Sequence, residues 1–199
     1  MDNYYMLGDN VTRSSNADPD QLCENLIIKY KIDNITVTHV GNRAFTQHSR
    51  LKTVYIPNTI VYLGFDSFAY IPTLKDVIFE ERYSNALEFA QGVFYNNSMT
   101  IIRLPSKISS SSYHVFALSK IEKVIYCGMD QISTGWFYDM TLPTIFVHTL
   151  YPYDSFGGAN NLVHTQDCGI FMKCIVNSIK HNSYSFFNVL SLLHVIIVL

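Results

Sequence analysis

The chain has 199 residues, 48% of them hydrophobic, 14% aromatic and 15% charged, with a formal net charge of −2. That length fits one core with appendages, and so apolar a composition, rich in Tyr and Phe, excludes general disorder. With no basic excess and no Lys/Arg run there is nothing to neutralise a phosphate backbone, so nucleic acid is not an expected partner.

Residues 1–34 read as an N-terminal cap region. MDNYYMLGDN has no basic stretch followed by an apolar one, so no secretory signal is read in the chain as given. Gly8 to Ala17 is polar and expected to be mobile. In NADPDQLCENLII, Asp18 precedes Pro19 and has Gln21 three residues on, a pattern that predicts a short capped helix.

Residues 35–148 repeat themselves. Aligned on phenylalanine, the copies fall at Phe45, Phe68, Phe94, Phe116 and Phe137, with steps of 23, 26, 22 and 21 residues. Five or six residues after each comes an apolar anchor: Leu51, Leu74, Met99, Ile121 and Leu142. Three and five residues further on lie Val54/Ile56, Val77/Phe79, Ile102/Leu104, Val124/Tyr126 and Ile145/Val147. Five residues before the phenylalanines stand Val40, Leu63, Phe89, Ser111 and Ile132, apolar in all but the fourth copy. The period-2 ending of each unit predicts a short strand whose alternate residues face opposite ways. One copy cannot enclose a core, but stacked copies can, strand pairing with strand and phenylalanine closing the opposite wall. Pro57 and Pro105 are expected to end strands, and Gly41 and Gly64 to supply positive φ in a tight turn.

The stretch VTHVGNRAFTQHSRLKTVYIPNTIVYLGFDSFAYIPTLKDVIF resembles the BspA-type leucine-rich repeat, whose unit runs approximately I-x-x-I-G-x-x-A-F-x-x-C-x-x-L-x-x-I-x-I-P. The likeness covers about Ile35 to Val147. His48 and Ile71 stand where the family often has cysteine, copies three to five have a five-residue gap, and copy four reads SSSS in place of the glycine turn. The resemblance implies a leucine-rich repeat solenoid of BspA type, mainly β with short helical turns, right-handed, with parallel strands stacked at a period of about 23 residues. It also implies protein binding rather than catalysis, since the family occurs in surface antigens associated with adhesion to host cells, matrix proteins or other microbes.

Residues 149–184 read as a C-terminal cap or irregular region. YPYDSFGGANN (Tyr151 to Asn161) suggests a turn-rich cap, and LVHTQDCGIFMKCIVNSIKHNSYS shows no repeat register. Residues 185–199, SFFNVLSLLHVIIVL, are uncharged and apolar but shorter than the roughly 20 residues of a spanning helix. Partial or interfacial membrane insertion and burial are both compatible with that length.

His164, Cys168, Cys174 and His181 have metal-capable side chains but lack the usual zinc spacing, so no metal or other cofactor is expected. A Cys168–Cys174 disulfide stays open, and Cys127 reads as a small core residue. No nucleophile elbow or phosphate loop frames the serines, histidines and glycines, and no catalytic residue is assigned. The triplets Asn10-Val-Thr, Asn34-Ile-Thr and Asn96-Asn-Ser would accept glycans in a secretory compartment.

The outward strand positions are Thr53/Tyr55, Asp76/Ile78, Ile101/Arg103, Lys123/Ile125 and Thr144/Phe146. Their second members stack into a column, Tyr55, Ile78, Arg103, Ile125 and Phe146, four of the five apolar or aromatic. Facing solvent, such a strip would mark an interaction site; alternatively, the β-propensity of exposed strand positions selects the same residues. The expected function is therefore a non-enzymatic adhesion or protein-recognition module, cell-surface or membrane-associated, binding a host, matrix or microbial protein through this face. The alternative is an intracellular, cytoplasmic scaffold of the same repeats.

Overall fold

The computed structural model describes two N-terminal strands, 4–7 and 10–13, and residues 24–82, 84–109, 112–133 and 135–166. β1 (Tyr4–Leu7) and β2 (Asn10–Arg13) form an antiparallel hairpin. After β3 (Asn25–Ile27) comes a second hairpin, β4 (Lys31–Ile32) and β5 (Ile35–Thr36). Its turn residues Asp33 and Asn34 have φ of 49° and 65°, as a two-residue hairpin turn requires. Two strand types then alternate along the chain as far as β13, and the last two strands add to the wall of β13: β6 (His39–Val40), β7 (Thr53–Ile56), β8 (Tyr62–Leu63), β9 (Asp76–Phe79), β10 (Leu87–Phe89), β11 (Ile101–Arg103), β12 (Ile108–Ser109), β13 (Lys123–Tyr126), β14 (Thr144–His148) and β15 (Leu162–Thr165).

Each strand in this alternation pairs in parallel with its equivalents one copy away, which makes the fold a β-solenoid. One wall is built from β3-β7-β9 and β11-β13-β14-β15; the other runs β1-β2-β6-β8-β10-β12. The alternation read from the sequence holds: Val54, Ile56, Val77, Ile102, Leu104, Val124, Tyr126, Ile145 and Val147 are buried, as are Leu51, Leu74, Met99 and Ile121. Val40, Leu63, Phe89 and Ile132 complete the second wall. Ser111 lies outside the described residues. In the fourth copy Ile108 is the buried residue, on β12 and in register with Leu87.

The five phenylalanines form a spine. Successive rings stack nearly parallel at centroid distances of 5.1, 5.8, 5.6 and 5.8 Å from Phe45 to Phe137, and all five are buried. Each such side chain contributes roughly 1.5–3 kcal/mol by leaving water, and offset aromatic contacts add to it. The backbone around the spine repeats as well. The amides two before, at and two after a phenylalanine donate to the next copy, as in Arg43 N–H to Phe65 O (2.7 Å), Phe45 N–H to Ser67 O (2.8 Å) and Gln47 N–H to Ala69 O (2.9 Å). The amides between them bond within their own turn, as Ala44 N–H does to Gly41 O at 3.2 Å.

Positive φ recurs two before and two after the phenylalanine: Arg43, Gln47, Asp66, Tyr70, Gly92, Asn96, His114, Leu118 and Asp139. This relocates the turn glycines' role. Gly41 and Gly64 have no positive φ; Gly64 is needed because a Cβ there would lie 2.7 Å from the Asn42 amide nitrogen and the Val40 oxygen, a contact between stacked copies. Buried polar groups three residues after the ring close loose ends of the turns. His48 accepts the Leu51 amide through Nδ1 at 3.1 Å. Asn97 accepts the Ile71 amide at 3.0 Å and donates to Phe68 O at 2.9 Å. Ser119 donates to Phe94 O at 2.7 Å.

Several expectations are corrected. Leu142 is 46% exposed, because the neighbouring Pro143 takes the buried position instead. Within the segment expected to be mobile, residues 10–13 form β2, which pairs with β6. Leu26 and Ile28 are buried and β3 pairs with β7, so the strand pattern starts one copy before residue 35. It also continues past Asn161, where β15 pairs with β14. The Asp18 helix lies outside the described residues, as do Cys168, Cys174, His181 and the tail.

The 26-residue step between the second and third copies interrupts the first wall, since β9 and β11 belong to different sheets. An acidic and basic corner holds the junction. Asn58 N–H donates to Glu80 Oε2 and Ser106 N–H to Glu81 Oε1, each at 2.9 Å. The buried Arg82 reaches back, Nη1 to Ile60 O at 2.5 Å and Nη2 to Pro57 O at 3.4 Å.

Phe68→Ala is expected to destabilise by about 3–5 kcal/mol in chemical denaturation, because it opens a gap in the middle of the spine. The exposed Asp76→Ala should stay within roughly 0.5 kcal/mol. Arg82→Ala should cost about 2–4 kcal/mol, since it strands the buried Ile60 carbonyl and empties the corner at the junction; equal stability of Arg82→Ala and Asp76→Ala would contradict this role.

Candidate recognition face

The outward residues of the first wall align in register. On β7 and β9, Thr53 faces Asp76 and Tyr55 faces Ile78; on β11, β13 and β14, Ile101, Lys123 and Thr144 form one row and Arg103, Ile125 and Phe146 the next. The wall thus brings all ten candidate residues to one face, in two blocks divided at the β9/β11 break. Asp76 and Ile101 are exposed, while Thr53, Tyr55, Ile78, Arg103, Lys123, Thr144 and Phe146 are half-buried. Ile125 is only 7% exposed, so it supports the column between Arg103 and Phe146 rather than offering surface.

Two column members escaped the repeat count. Ile27 pairs in register with Tyr55, and Val163 with Phe146; they are 55% and 38% exposed. The apolar run ENLIIK carries the signal for Ile27, whereas no phenylalanine at the repeat spacing points to Val163.

The polar members are held in place. Lys123 Nζ lies 4.8 Å from the Phe146 ring centroid, a cation–π contact. Arg103 places Nη1 out of solvent with no hydrogen-bond partner among the described residues. Burial pushes the Tyr55 phenol up to about 12, and the Glu80 carboxylate adds to the shift. It therefore stays protonated and able to donate throughout the neutral range.

Other constellations do not assemble. His39 lies against Tyr62 at 5.7 Å, His48 is bonded inside its turn, and His114 packs on Tyr138 at 4.6 Å, so the three serve separate places. Of the four metal-capable residues only His164 is described, exposed on β15. Cys127 is half-buried and disulfide-bonded, which corrects its reading as a simple core thiol. Asn34 and Asn96 are exposed in turns, and Asn10 lies on β2. A polar groove of about 520 Å³ borders β10 and β12. Its Asp130 holds the Ile108 amide at 3.0 Å and Lys107 at 3.4 Å, a structural role at the strand start. Among the described residues no helix is long and apolar enough to cross a membrane.

Two measurements address this face. Arg103→Met is expected to leave stability unchanged or up to about 1 kcal/mol higher, because it removes a buried, unpartnered N–H and keeps the stem. Alkaline titration should destabilise the fold. Burial raises the phenols of Tyr55 and Tyr151 to about 12, and that of Tyr126 still further. Their contribution is complete below the unfolded value of about 10 and is lost as pH rises from there towards 12. A midpoint that holds constant across that window would contradict the burial of these rings.

A family model described as BspA type leucine rich repeat region matches residues 22–151 in six copies. None of the curated proteins matches. Among solved structures, the pneumococcal vaccine antigen PcpA aligns with a TM-score of 0.58 at 12% identity, over 83% of this chain and 48% of that one. A leucine-rich repeat protein from Eubacterium ventriosum gives 0.48 at 14% identity, over 64% and 33%. A leucine-rich cell surface protein from Faecalibacterium prausnitzii gives 0.41 at 13%, over 73% and 48%. The chain spans half or less of the length of these three proteins. At 12% identity the likeness to PcpA is one of fold alone.

Proposed function

Because this chain belongs to the BspA-type leucine-rich repeat family, we propose that it is a non-enzymatic recognition module, acting at the cell surface, that binds a protein partner through the outward face of its first wall. The observation that carries the reading is the pair of register-aligned outward rows, Ile27, Tyr55 and Ile78 in one block and Arg103, Ile125, Phe146 and Val163 in the other, apolar or aromatic at every position but Arg103. Half-buried Tyr and Arg, as at Tyr55 and Arg103, are residue types that dominate interface energetics. The disulfide at Cys127 supports an oxidising, extracellular setting.

Surface labelling of intact cells should mark the protein, and labelling restricted to lysed cells would favour the intracellular scaffold. Purified chain is expected to bind wells coated with extracellular matrix or host-cell membrane protein. Ile101→Lys and Ile78→Lys should each weaken that binding at least about tenfold, as charges placed in an apolar contact do, with folding unchanged. Full binding by both variants would exclude this face.

A further inference from the structure

The fold gives the three Asn-x-Ser/Thr triplets of the sequence very different surroundings. Such a triplet accepts N-linked sugar in a secretory compartment, provided that the asparagine amide and the hydroxyl two residues on can leave the surface together. Asn10, Val11 and Thr12 all belong to β2, which is paired with β1 on one side and with β6 on the other. Asn96 is exposed, but Asn97 beside it is buried. The Asn97 side chain is bonded to the Ile71 amide and to Phe68 O, and its own amide donates to Ser119 Oγ at 3.3 Å. Lifting either triplet out would pull apart contacts between stacked copies.

Asn34 differs on each of these counts. It is the second turn residue of the β4–β5 hairpin, with a φ of 65° that asparagine tolerates, and Asn34, Ile35 and Thr36 are all exposed. The hairpin has two residues per strand and pairs with neither wall, so it opens at little cost. Neither the Asn34 amide nor the Thr36 hydroxyl has a hydrogen-bond partner among the described residues. We infer that Asn34 is an N-glycosylation site, and that of the three triplets it is the one the folded chain offers for modification. The inference rests on the surface reading given above, whose oxidising compartment the disulfide at Cys127 supports. In the transfer, Asn34 Nδ2 attacks the anomeric carbon of an oligosaccharide carried on a lipid pyrophosphate. The new C–N bond forms as the C–O bond to the pyrophosphate breaks, the amide gives up one proton, and the lipid pyrophosphate leaves. The sugar, bulky and hydrated, then covers Ile35 and Tyr30, which the hairpin leaves 48% and 66% exposed.

Glycopeptide mapping of the full chain, taken from the surface of its own cells, tests the assignment. An amide-cleaving glycosidase converts a modified asparagine to aspartate, and that conversion is expected at Asn34 and absent at Asn10 and Asn96. Asn34→Gln and Thr36→Ala should each abolish it, whereas Thr36→Ser, which keeps the hydroxyl, should retain it. Surface-labelled chain with Asn34 unmodified, or with Asn10 or Asn96 modified to the same extent, would overturn the assignment. If labelling reaches the chain only in lysed cells, the surface reading fails on its own. The site is then tested on the full chain carrying an added leader in a eukaryotic secretory pathway, where conversion at Asn34 alone upholds it and an unmodified Asn34 overturns it.

Discussion

Face-to-face stacking of one phenylalanine per copy is the contact on which the rest of the structure depends. A single copy has nothing to lay its ring against, and its short strands have no partners within the copy. Both needs are met only by an identical unit displaced along the solenoid, and the inter-copy bonds at Phe45, Phe68, Phe94 and Phe116 hold each ring at the same height as the strand that faces it. Register in the spine and register in the walls are therefore one constraint. A slip of one residue would turn the buried row Val54, Val77 outward and the column Tyr55, Ile78 inward.

This constraint divides the surface by chemistry. On the first wall, side chains of neighbouring copies shield one another, so most outward residues are half-buried. On the turn side, the residues two before and two after the ring are held in left-handed geometry, and several of them pair with a residue of the next copy, as Arg43 does with Asp66 and Tyr70 with Tyr95. The first arrangement favours a broad contact; in the second, the charges and rings are largely spent on contacts between copies. Where the repeat length departs from its norm, at the step to the third copy, stacking alone no longer holds adjacent strands. Arg82, Glu80 and Glu81 take over with directed hydrogen bonds.

The spine was legible in the sequence because a large aromatic at a steady spacing leaves few interpretations, and the inward anchors followed from period-2 alternation. The left-handed positions were not, because Arg43, Gln47, Tyr70 and Leu118 are poor formers of that geometry and tertiary stacking overrides their preference. Glycine was assigned to the wrong need for the same reason: Gly64 answers a close approach between copies, which a single copy does not display. Arg82 was hidden because it belongs to an insertion with no counterpart in other copies. In the candidate face, membership could be read from alternation. Burial could not, because the 7% exposure of Ile125 depends on neighbours one copy to either side.

The central claim is that recognition occurs on the strand wall and not on the turn side. A photo-crosslinking residue placed at position 78 or 101, and separately at position 118, tests it directly on cells or matrix that bind the chain. The account predicts heterologous crosslinks from 78 and 101 and none from 118. Heterologous crosslinks from 118 with none from 78 or 101 would contradict it.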